Sequence, residues 1–353
     1  MNTDFLIVGQ GLAGSLLAWE LIKRNIKVII IDTGQENASQ IAAGLINPIT
    51  GQRFVKSSGI DYLLPTAKNY YADLGAVFKQ SFYIEKIMLR LFNNPNEIES
   101  AIKRLSQAEY QDYLAKLNLV SNSLKNISTP FGLIEQRQTG YLLTKQLLTS
   151  LKEFFISNQC YQQTTLDYKD IQIKPILKWK DITAKGIIFC EGYHSTDNPW
   201  FSWLPFQLVK GEILTLSHST SLMDNILNFG NWLIPLDTQL FRIGATFDRE
   251  NLDNIPTEFG KNSLLTSLQS ISHPLIKNSC LMGHQANIRP CTLDKQPFIG
   301  HHPVHTQLSI FNGFGAKGSL QIPWYCQKFA ENLLKNTAIP TDITRYYATH
   351  FTT

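Results

Sequence analysis

The sequence has few cysteines, no long apolar run and little excess of either charge, and each shortage argues against a class of protein. Its five cysteines, among 353 residues, are widely spaced and form no C-x-x-C pair, which argues against a disulfide framework and a zinc site. No apolar run approaches the roughly 20 residues that a membrane-spanning helix needs. The formal net charge is only +4, and because the basic residues are scattered, a nucleic-acid surface is not favoured.

Two further absences set expectations about location and metals. The chain enters its first predicted strand without the basic segment and cleavage site of a signal peptide, so we expect a cytoplasmic protein with no membrane span. His301, His302 and His305 resemble a metal-binding cluster, but they lie in a predicted turn, and we expect no metal. The composition is 43% hydrophobic and 17% charged, as in ordinary globular proteins, and it does not exclude a homo-oligomer.

The first 32 residues predict a βαβ unit. Residues 5–8 and 28–31 are short apolar runs, which are typical of buried parallel strands. Between them, apolar residues recur through 15–24 at helical spacing. A βαβ unit of this kind opens a mostly parallel sheet, so we expect an α/β fold.

The turn of this unit carries a dinucleotide-binding fingerprint. Gly9, Gly11 and Gly14 form G-x-G-x-x-G, and Asp32 ends the second strand. The glycines allow a tight turn, close approach of a pyrophosphate and close packing of the helix, whose N-terminus favours phosphate. Asp32 can accept hydrogen bonds from ribose hydroxyls and would repel a 2′-phosphate, so NADP is disfavoured. At this point the fingerprint leaves NAD and FAD open.

Periodicity predicts further elements, and after residue 78 they no longer follow a simple βαβ series. We therefore expect a second structural unit, inserted into the first. Helices are predicted at 62–78, 96–117, 145–155, 258–270 and 319–334. Strands are predicted at 81–93, 129–143, 171–179, 185–192, 207–216, 231–235, 241–246, 283–288 and 308–312.

Several short motifs, together with the N-terminal fingerprint, resemble the FAD-dependent D-amino-acid oxidase superfamily, and glycine oxidase and sarcosine-oxidase-like enzymes in particular. Each motif is common alone, but together they occur in register over almost the whole chain. This resemblance favours FAD over NAD. The motifs are Ala-Ala-Gly-Leu at 42–45, Leu-Val-Lys-Gly-Glu at 208–212, Trp-Leu-Ile-Pro at 232–235, Ile-Gly-Ala-Thr at 243–246, Ile-Arg-Pro at 288–290, Asp-Lys-Gln-Pro-Phe-Ile-Gly at 294–300 and the glycine-rich turn at 313–318.

The resemblance implies a discontinuous two-domain protein. A Rossmann-type FAD-binding domain, with a mostly parallel sheet and helices on both faces, is expected from residues 1–78, 138–204 and 284–353. A substrate domain with a mixed or antiparallel sheet is expected from residues 79–137 and 205–283.

The resemblance also implies where non-covalent FAD binds. Leu12, Ala13, Asp32 and Thr33 would meet the pyrophosphate and the adenosine ribose, beside Gly9, Gly11 and Gly14, and Leu166 would contact the adenine region. Further residues would lie along the pyrophosphate and the isoalloxazine, with the N-terminus of the last helix near the N1/O2 edge. They are Ser39, Ala43, Gly44, Leu45, Phe314, Gly315, Ala316, Lys317, Gly318, Ser319 and Leu320.

Three residues are candidates for direct work on the substrate. Arg289 matches the arginine that pairs with the substrate carboxylate in amino-acid oxidases, and a guanidinium fork suits a carboxylate; the alternative is a structural ion pair. Trp232 replaces a tyrosine of the amino-acid pocket. Lys317 is either a stabiliser of negative charge on reduced flavin or a solvated lysine. Phe314 replaces a histidine of many relatives, and Cys291 does not match the cysteine that attaches flavin in some.

By resemblance, the predicted function is FAD-dependent oxidation of the C–N bond of an amino acid or N-substituted amino acid. A hydride would pass to flavin N5 and the imine would hydrolyse, with oxygen or another acceptor regenerating the cofactor. Two alternatives stay open: action on a macromolecule such as a carboxymethylaminomethyl-modified tRNA, and an FAD-binding protein without turnover. A further departure is Cys190-Glu191-Gly192, where relatives have a small residue before glycine.

Overall fold

A computed structural model describes residues 1–219 and 223–346. Its α-helices are α1 (Leu12–Lys23), α2 (Ala38–Ile41), α3 (Ile60–Phe78), α4 (Pro95–Leu105), α5 (Thr144–Ser157), α6 (Glu258–Ile271), α7 (His273–Lys277) and α8 (Gly318–Lys335). Short 3₁₀ helices lie at Ala108–Tyr110, Tyr168–Asp170, Gly192–Thr196, Gly315–Lys317 and Ile343–Tyr346.

The strands of the described residues form two large sheets and three small ones. They are β1 (Phe5–Val8), β2 (Val28–Asp32), β3 (Leu45–Ile46), β4 (Ile49–Thr50), β5 (Val55–Lys56), β6 (Tyr83–Glu85), β7 (Met88–Leu91), β8 (Leu114–Asn118), β9 (Leu133–Gln136), β10 (Gly140–Leu142), β11 (Tyr161–Gln163), β12 (Ile171–Gln172), β13 (Lys178–Trp179), β14 (Ile182–Thr183), β15 (Gly186–Phe189), β16 (Phe206–His218), β17 (Ile226–Asn228), β18 (Trp232–Pro235), β19 (Leu240–Gly244), β20 (Ser279–Thr292), β21 (Phe298–His301) and β22 (Leu308–Asn312).

The first large sheet has six strands in the order β11-β2-β1-β15-β22-β21, and only β21 runs antiparallel to its neighbour. Because successive side chains alternate between faces, Ile7 and Ile30 pack under α1, α3, α5 and α8. Leu6 and Ile29 face the other way, where the small sheet β12-β13-β14 supplies Trp179. The predicted α/β class is confirmed, and an antiparallel sheet covers the second face.

The second large sheet has eight strands in the order β20-β16-β19-β18-β17-β7-β9-β8. It is mixed, as predicted, because β17 and β7 pair in parallel while the other pairs are antiparallel. Leu214 and Ile243 on one face pack against Leu264 and Leu268 of α6. The opposite face, with Trp232, is turned toward the first sheet and carries the cavity described below.

The two large sheets draw on the segments assigned to the two predicted domains. All strands of the six-stranded sheet fall within 1–78, 138–204 and 284–353, while β20 begins at Ser279, before residue 284, and belongs to the other sheet. The exact division into domains stays a prediction. The N-terminal βαβ unit is confirmed, with α1 beginning at Leu12 rather than at 15.

Two predicted strands are each divided between two sheets. Residues 81–93 form β6 and β7, and residues 129–143 form β9 and β10. Strands β6 and β10 pair in a small sheet, whereas β7 and β9 pair in the eight-stranded sheet. The chain crosses between sheets at Lys86 and Thr139, where the Lys86 N–H donates to the Thr139 carbonyl oxygen at 3.0 Å. An apolar alternation does not reveal a change of partner strand.

Two other predictions of secondary structure were wrong. The helix predicted at 96–117 ends at Leu105 as α4, and residues 114–118 form the edge strand β8 instead, because Leu114 is buried against the sheet. The strand predicted at 171–179 is a hairpin in which Ile171 pairs antiparallel with Trp179. In both cases a tertiary contact overrides the local pattern.

Candidate active site

One cavity of about 930 Å³ lies at the carboxyl ends of β1, β2, β15 and β22 and continues along the open face of the eight-stranded sheet. In open α/β sheets this is the edge where ligands bind. The cavity brings together every predicted site residue except Gly14. They are Gly9, Gly11, Leu12, Ala13, Asp32, Thr33, Ser39, Ala43, Gly44, Leu45, Leu166, Trp232, Arg289, Phe314, Gly315, Ala316, Lys317, Gly318, Ser319 and Leu320.

The glycine turn after β1 has no room for a side chain at Gly9 or at Gly14. Gly9 adopts φ +102°, and a Cβ on it would lie 2.5 Å from the Cys190 carbonyl oxygen. A Cβ on Gly14 would lie 2.0 Å from the Gly9 carbonyl oxygen, so Gly14 sits beneath the turn and lets α1 approach it. Gly11, at the start of α1, faces the cavity. The structure gives Gly14 a packing position behind the cavity wall.

Ser39 and Asp32 shape the cavity beside this turn. The Leu12 N–H at the start of α1 donates to Ser39 Oγ at 3.0 Å. Asp32 accepts from the Gln10 N–H through Oδ2 at 2.8 Å and from the Gly34 N–H through Oδ1 at 2.7 Å. The Tyr161 hydroxyl also donates to Oδ1, at 3.5 Å. Because a carboxylate can accept about four hydrogen bonds, Asp32 keeps capacity for about one more, from a ligand in the cavity.

Glu191, at the end of β15, lines the cavity within a network that fixes the following loop. Its Oε1 accepts from the Tyr168 hydroxyl at 2.8 Å, and its Oε2 accepts from Asn198 Nδ2 at 2.9 Å. Asn312, at the end of β22, donates from Nδ2 to the Gly192 carbonyl oxygen at 2.7 Å. Burial raises the pKa of Glu191 from its ordinary 4.5 to about 7, and the two hydrogen bonds oppose that rise.

The raised pKa of Glu191 predicts a pH-dependent stability. The folded protein holds this proton more tightly than the unfolded chain does, so the stabilisation is present at low pH and is lost as pH rises through about 7. Glu191→Gln, which mimics the protonated acid, should flatten the fall in melting temperature between roughly pH 5 and pH 8. The measurement is thermal unfolding of the FAD-free protein, with exposed Glu250→Gln as control. An unchanged slope in Glu191→Gln would contradict the assignment.

Arg289, on β20, places its guanidinium over the neighbouring strand β16. A Cβ on Gly211 would lie only 1.6 Å from Arg289 Nη2, so the missing side chain of Gly211 makes this position accessible. Nη2 donates to the Thr246 carbonyl oxygen at 3.1 Å. Burial lowers the pKa of Arg289. Among the described residues no carboxylate lies within 4.0 Å of its nitrogens, so the cation faces the cavity without a counter-charge.

Trp232 lies on β18, between β17 and β19, on the face of the eight-stranded sheet that lines the cavity. Its backbone pairs with Gly244 on β19 and with Asn228 on β17. A Cβ on Gly244 would lie 2.5 Å from Trp232 Cζ2, so the indole extends over this glycine. Trp232 therefore separates the part of the sheet face beside Arg289 from the part beside Asn228.

The last glycine-rich turn lines the cavity beside β20, where a Cβ on Gly313 would lie 2.7 Å from Thr292 Cγ2. Phe314 is buried and packs on Phe311 with ring centroids 4.9 Å apart. Lys317 Nζ donates to Ser57 Oγ at 3.3 Å, and burial lowers its pKa. The Tyr71 hydroxyl of α3 donates to the Ser319 carbonyl oxygen at 2.7 Å and holds the turn from behind.

Several residues at the site were not predicted from the sequence. Arg242 of β19 donates to the Ile41 and Ala42 carbonyl oxygens and so ties the sheet to the loop that includes Ala43; burial lowers its pKa to about 10. Arg90 and Asn228 line the cavity beyond Trp232. An arginine within an apolar strand was the available signal, but alternation alone assigns such a residue to solvent.

Two features singled out in the sequence, Cys291 and the histidine cluster that begins at His301, lie outside the cavity. Cys291 does not line the cavity; its Sγ would be 3.0 Å from a Cβ on Gly315, and burial raises its pKa. His301 ends β21 rather than lying in a turn, and its Nε2 is 3.0 Å from Asn332 Oδ1. Residues 1–219 and 223–346 contain no group of three or more His, Cys, Asp or Glu arranged to hold a metal. None of the helices in these ranges has both the length and the apolar character to cross a membrane.

This fold, with a dinucleotide fingerprint opening onto a mixed sheet, is that of a flavin-dependent oxidoreductase, and comparison with known proteins identifies the family. The chain belongs to the DAO family of FAD-dependent oxidoreductases, whose family model matches residues 4–332. The resemblance inferred from the sequence motifs is thereby confirmed, and FAD is the cofactor.

Individual relatives have low sequence identity to this chain but match most of its length. The chain is 21% identical to glycine oxidase of Pseudomonas putida over 355 residues, covering 94% of this chain and 95% of that protein. It is 23% identical to the tRNA 5-methylaminomethyl-2-thiouridine biosynthesis bifunctional protein of Leptospira interrogans, covering 83% of this chain and 47% of that protein, so it spans about half the length of that relative. The crystal structure of glycine oxidase from Bacillus cereus superposes with TM-score 0.81 at 20% identity, over 96% of both chains.

The residues of the cavity fit FAD. The turn at Gly9 and Gly11 carries no side chain that would keep a pyrophosphate away from the N-terminus of α1. Asp32 retains acceptor capacity for ribose hydroxyls at the end of β2. The cavity runs without interruption from this turn to the sheet face, as a dinucleotide with its reactive ring at the far end requires. The individual FAD contacts, and non-covalent binding, stay predictions.

Proposed function

We propose that this protein oxidises the C–N bond of an amino acid or N-substituted amino acid, and that Arg289 binds the carboxylate of the substrate. The observation that carries the proposal is the Arg289 guanidinium, which lines the cavity and, within residues 1–219 and 223–346, makes one hydrogen bond, to the Thr246 carbonyl oxygen. A guanidinium has five N–H donors in a planar fork, which suits a carboxylate in two parallel hydrogen bonds.

Burial strengthens this interpretation. Removing a charge from water is costly unless a partner compensates it, and among the described residues Arg289 has no acidic partner. A substrate carboxylate would supply the missing charge. Gly211 supports the same conclusion, because this strand residue leaves the space that the guanidinium occupies. Glycine within a strand weakens that strand, so the space needed by the Arg289 guanidinium is a physical reason for glycine at position 211.

The remaining residues would orient the substrate and exclude water. When bound, the flavin would supply the redox chemistry, because it can accept a hydride (two electrons and a proton) from the C–H bond on the carbon beside the nitrogen, which turns the C–N bond into an imine. Arg289 would fix the carboxylate end, and Trp232 would limit the movement of the rest of the substrate over the sheet face. Lys317, at the glycine-rich turn, is the candidate for stabilising negative charge that develops there, and this role stays a prediction.

Pairs of amines with and without a carboxylate test this function. The flavin-loaded protein is titrated without oxygen with glycine and methylamine, sarcosine and dimethylamine, and proline and pyrrolidine. We expect flavin bleaching by at least one carboxylate-bearing member and by none of the matched amines. In Gly211→Ala, whose methyl group would displace Arg289 without removing its charge, bleaching should slow at least about tenfold. Equal bleaching by both members of a pair would contradict carboxylate recognition.

A second candidate is action on a modified tRNA, and the relative from Leptospira interrogans is the observation that favours it. The test is anaerobic mixing of the flavin-loaded protein with tRNA that carries a carboxymethylaminomethyl group. Flavin reduction by this tRNA, without reduction by any free amino acid, would favour the second candidate over the first. The net charge of +4 gives it no separate support.

A further inference from the structure

The cavity has a second polar end, on the far side of Trp232 from Arg289. We define the Arg90 lobe as the cavity lining formed by Asn47, Thr50, Gly51, Arg90, Asn228 and Gly230. Asn228 pairs directly with Arg90 across β17 and β7, and Asn47 Nδ2 reaches Met88 Sδ at 3.5 Å on the same strand as Arg90. These contacts bring three polar side chains together at one place on the sheet face.

The two asparagines expose their donors. Asn47 Oδ1 accepts from the Ile49 N–H at 3.1 Å, and in the part of the chain that the structure describes its amide nitrogen has one acceptor, the weak sulfur acceptor of Met88. Asn228 Oδ1 accepts from the Gly230 N–H at 3.4 Å, and among the described residues its Nδ2 has no acceptor. Because backbone N–H groups require oxygen as their partner, this assignment of the amides is fixed by the surrounding bonds.

Arg90 is a buried cation whose partners are incomplete. It is 5% exposed, and its Nε is buried with no hydrogen-bond partner in the described residues. The closest acid is Glu97, with Oε1 3.7 Å from Arg90 Nη2, which is longer than a hydrogen bond. Glu97, in the first turn of α4, is itself held by the Asn93 N–H, which donates to its Oε2 at 3.2 Å. The Arg90 guanidinium also lies 5.0 Å from the centre of the Phe54 ring, a cation–π contact. Among the described residues its charge is therefore only partly compensated.

We propose that the Arg90 lobe binds a hydrogen-bond-accepting group, such as a carboxylate, on the N-substituent of a secondary amino acid. The inference rests on the proposed function, in which Arg289 holds the α-carboxylate. The Arg289 guanidinium lies over β16, and the lobe lies three strands away at β17, roughly 14 Å at about 4.8 Å per strand. The preferred substrate is thus an N-substituted amino acid that is larger than sarcosine, with acceptors at its far end.

Two probes that share a rigid spacer test the lobe: N-benzylglycine and N-(4-carboxybenzyl)glycine. Flavin-loaded protein is mixed with each compound without oxygen, and the rate constant of flavin bleaching is divided by the dissociation constant. We expect the carboxybenzyl compound to be favoured about tenfold or more, because its carboxylate would accept charge-assisted hydrogen bonds. In Arg90→Gln this ratio should fall to about one, while exposed Arg137→Gln should keep it.

Asn228→Asp provides a second variant in case Arg90→Gln does not fold. It replaces a donor with an acceptor of the same shape beside Arg90, and it should also bring the ratio to about one. If the wild type oxidises both compounds with a ratio near one, the Arg90 lobe does not bind the distal carboxylate, while the proposed function is unaffected. A preference that survives in both variants also overturns binding at the lobe. If neither compound is oxidised, the proposed function fails for these two compounds. Binding at the Arg90 lobe is then tested by the ratio of the two dissociation constants, measured from shifts in the flavin spectrum. If neither compound shifts the spectrum, the proposed binding at the lobe is contradicted.

Discussion

Arg289→Met should lower kcat/KM for the carboxylate-bearing substrate roughly 30-fold to several thousand-fold, which corresponds to a loss of about 2–5 kcal/mol of transition-state stabilisation. The reason is that the variant removes the cation that would meet the substrate carboxylate in the cavity and leaves that carboxylate partly desolvated. Methionine keeps most of the apolar volume beside Gly211, so the loss reports charge and hydrogen bonding more than packing. Steady-state kinetics with the best amino acid from the paired titration measure the effect.

Two further variants separate charge from geometry at this position. Arg289→Lys keeps the cation but loses the planar fork, so its activity should lie between those of the wild type and Arg289→Met. Arg249→Met removes an exposed arginine whose guanidinium lies 5.2 Å from the Phe247 ring, and it should behave as wild type. Wild-type activity in Arg289→Met would show that the carboxylate binds elsewhere.

Gly14→Ala should abolish stable FAD binding. Its methyl group would lie 2.0 Å from the Gly9 carbonyl oxygen and 3.2 Å from Cys190 Cβ, so α1 and the glycine turn must move apart. Because the obstructing atom is backbone, no rotation of a side chain relieves the clash, and we expect a loss of about 1–3 kcal/mol of stability as well. The flavin-to-protein ratio after gel filtration and the melting temperature measure the two effects.

Gly283→Ala is the matched control for this glycine. It adds the same methyl group on β20, where the nearest atom would be 3.8 Å away, an ordinary van der Waals contact. We expect it to retain FAD and to melt close to the wild type. Equal flavin content in Gly14→Ala and Gly283→Ala would mean that close packing beneath the turn is not required for cofactor binding.

The cofactor half of the site was predictable because its signals are local. Gly9, Gly11 and Asp32 have fixed spacing within one βαβ unit, and the physical demands of a dinucleotide on that turn are the same wherever it occurs. The structure places these residues along one wall of the cavity. Gly14 was assigned to packing from the same reasoning, and its position behind the turn agrees with that assignment.

The substrate half was only partly predictable because it depends on which strands become neighbours. Arg289 could be found by resemblance, but its relation to Gly211 arises from the pairing of β20 with β16. Arg90 and Asn228 meet only because β7 pairs with β17, which lies more than 130 residues away along the chain. The divided strands at 81–93 and 129–143 show the same limit, since a pattern of period two does not specify its partner.

The central claim is that a C–N bond beside a carboxylate is oxidised in this cavity. The most direct test mixes the flavin-loaded protein, without oxygen, with the carboxylate-bearing amines and assays both flavin absorbance and the carbonyl product after hydrolysis of the imine. The account predicts one carbonyl product for each flavin reduced, and formation of both signals that is at least about 30-fold slower in Arg289→Met at low substrate concentration. Flavin that stays oxidised with every amino acid and N-substituted amino acid, or that bleaches without releasing a carbonyl product, would contradict the account.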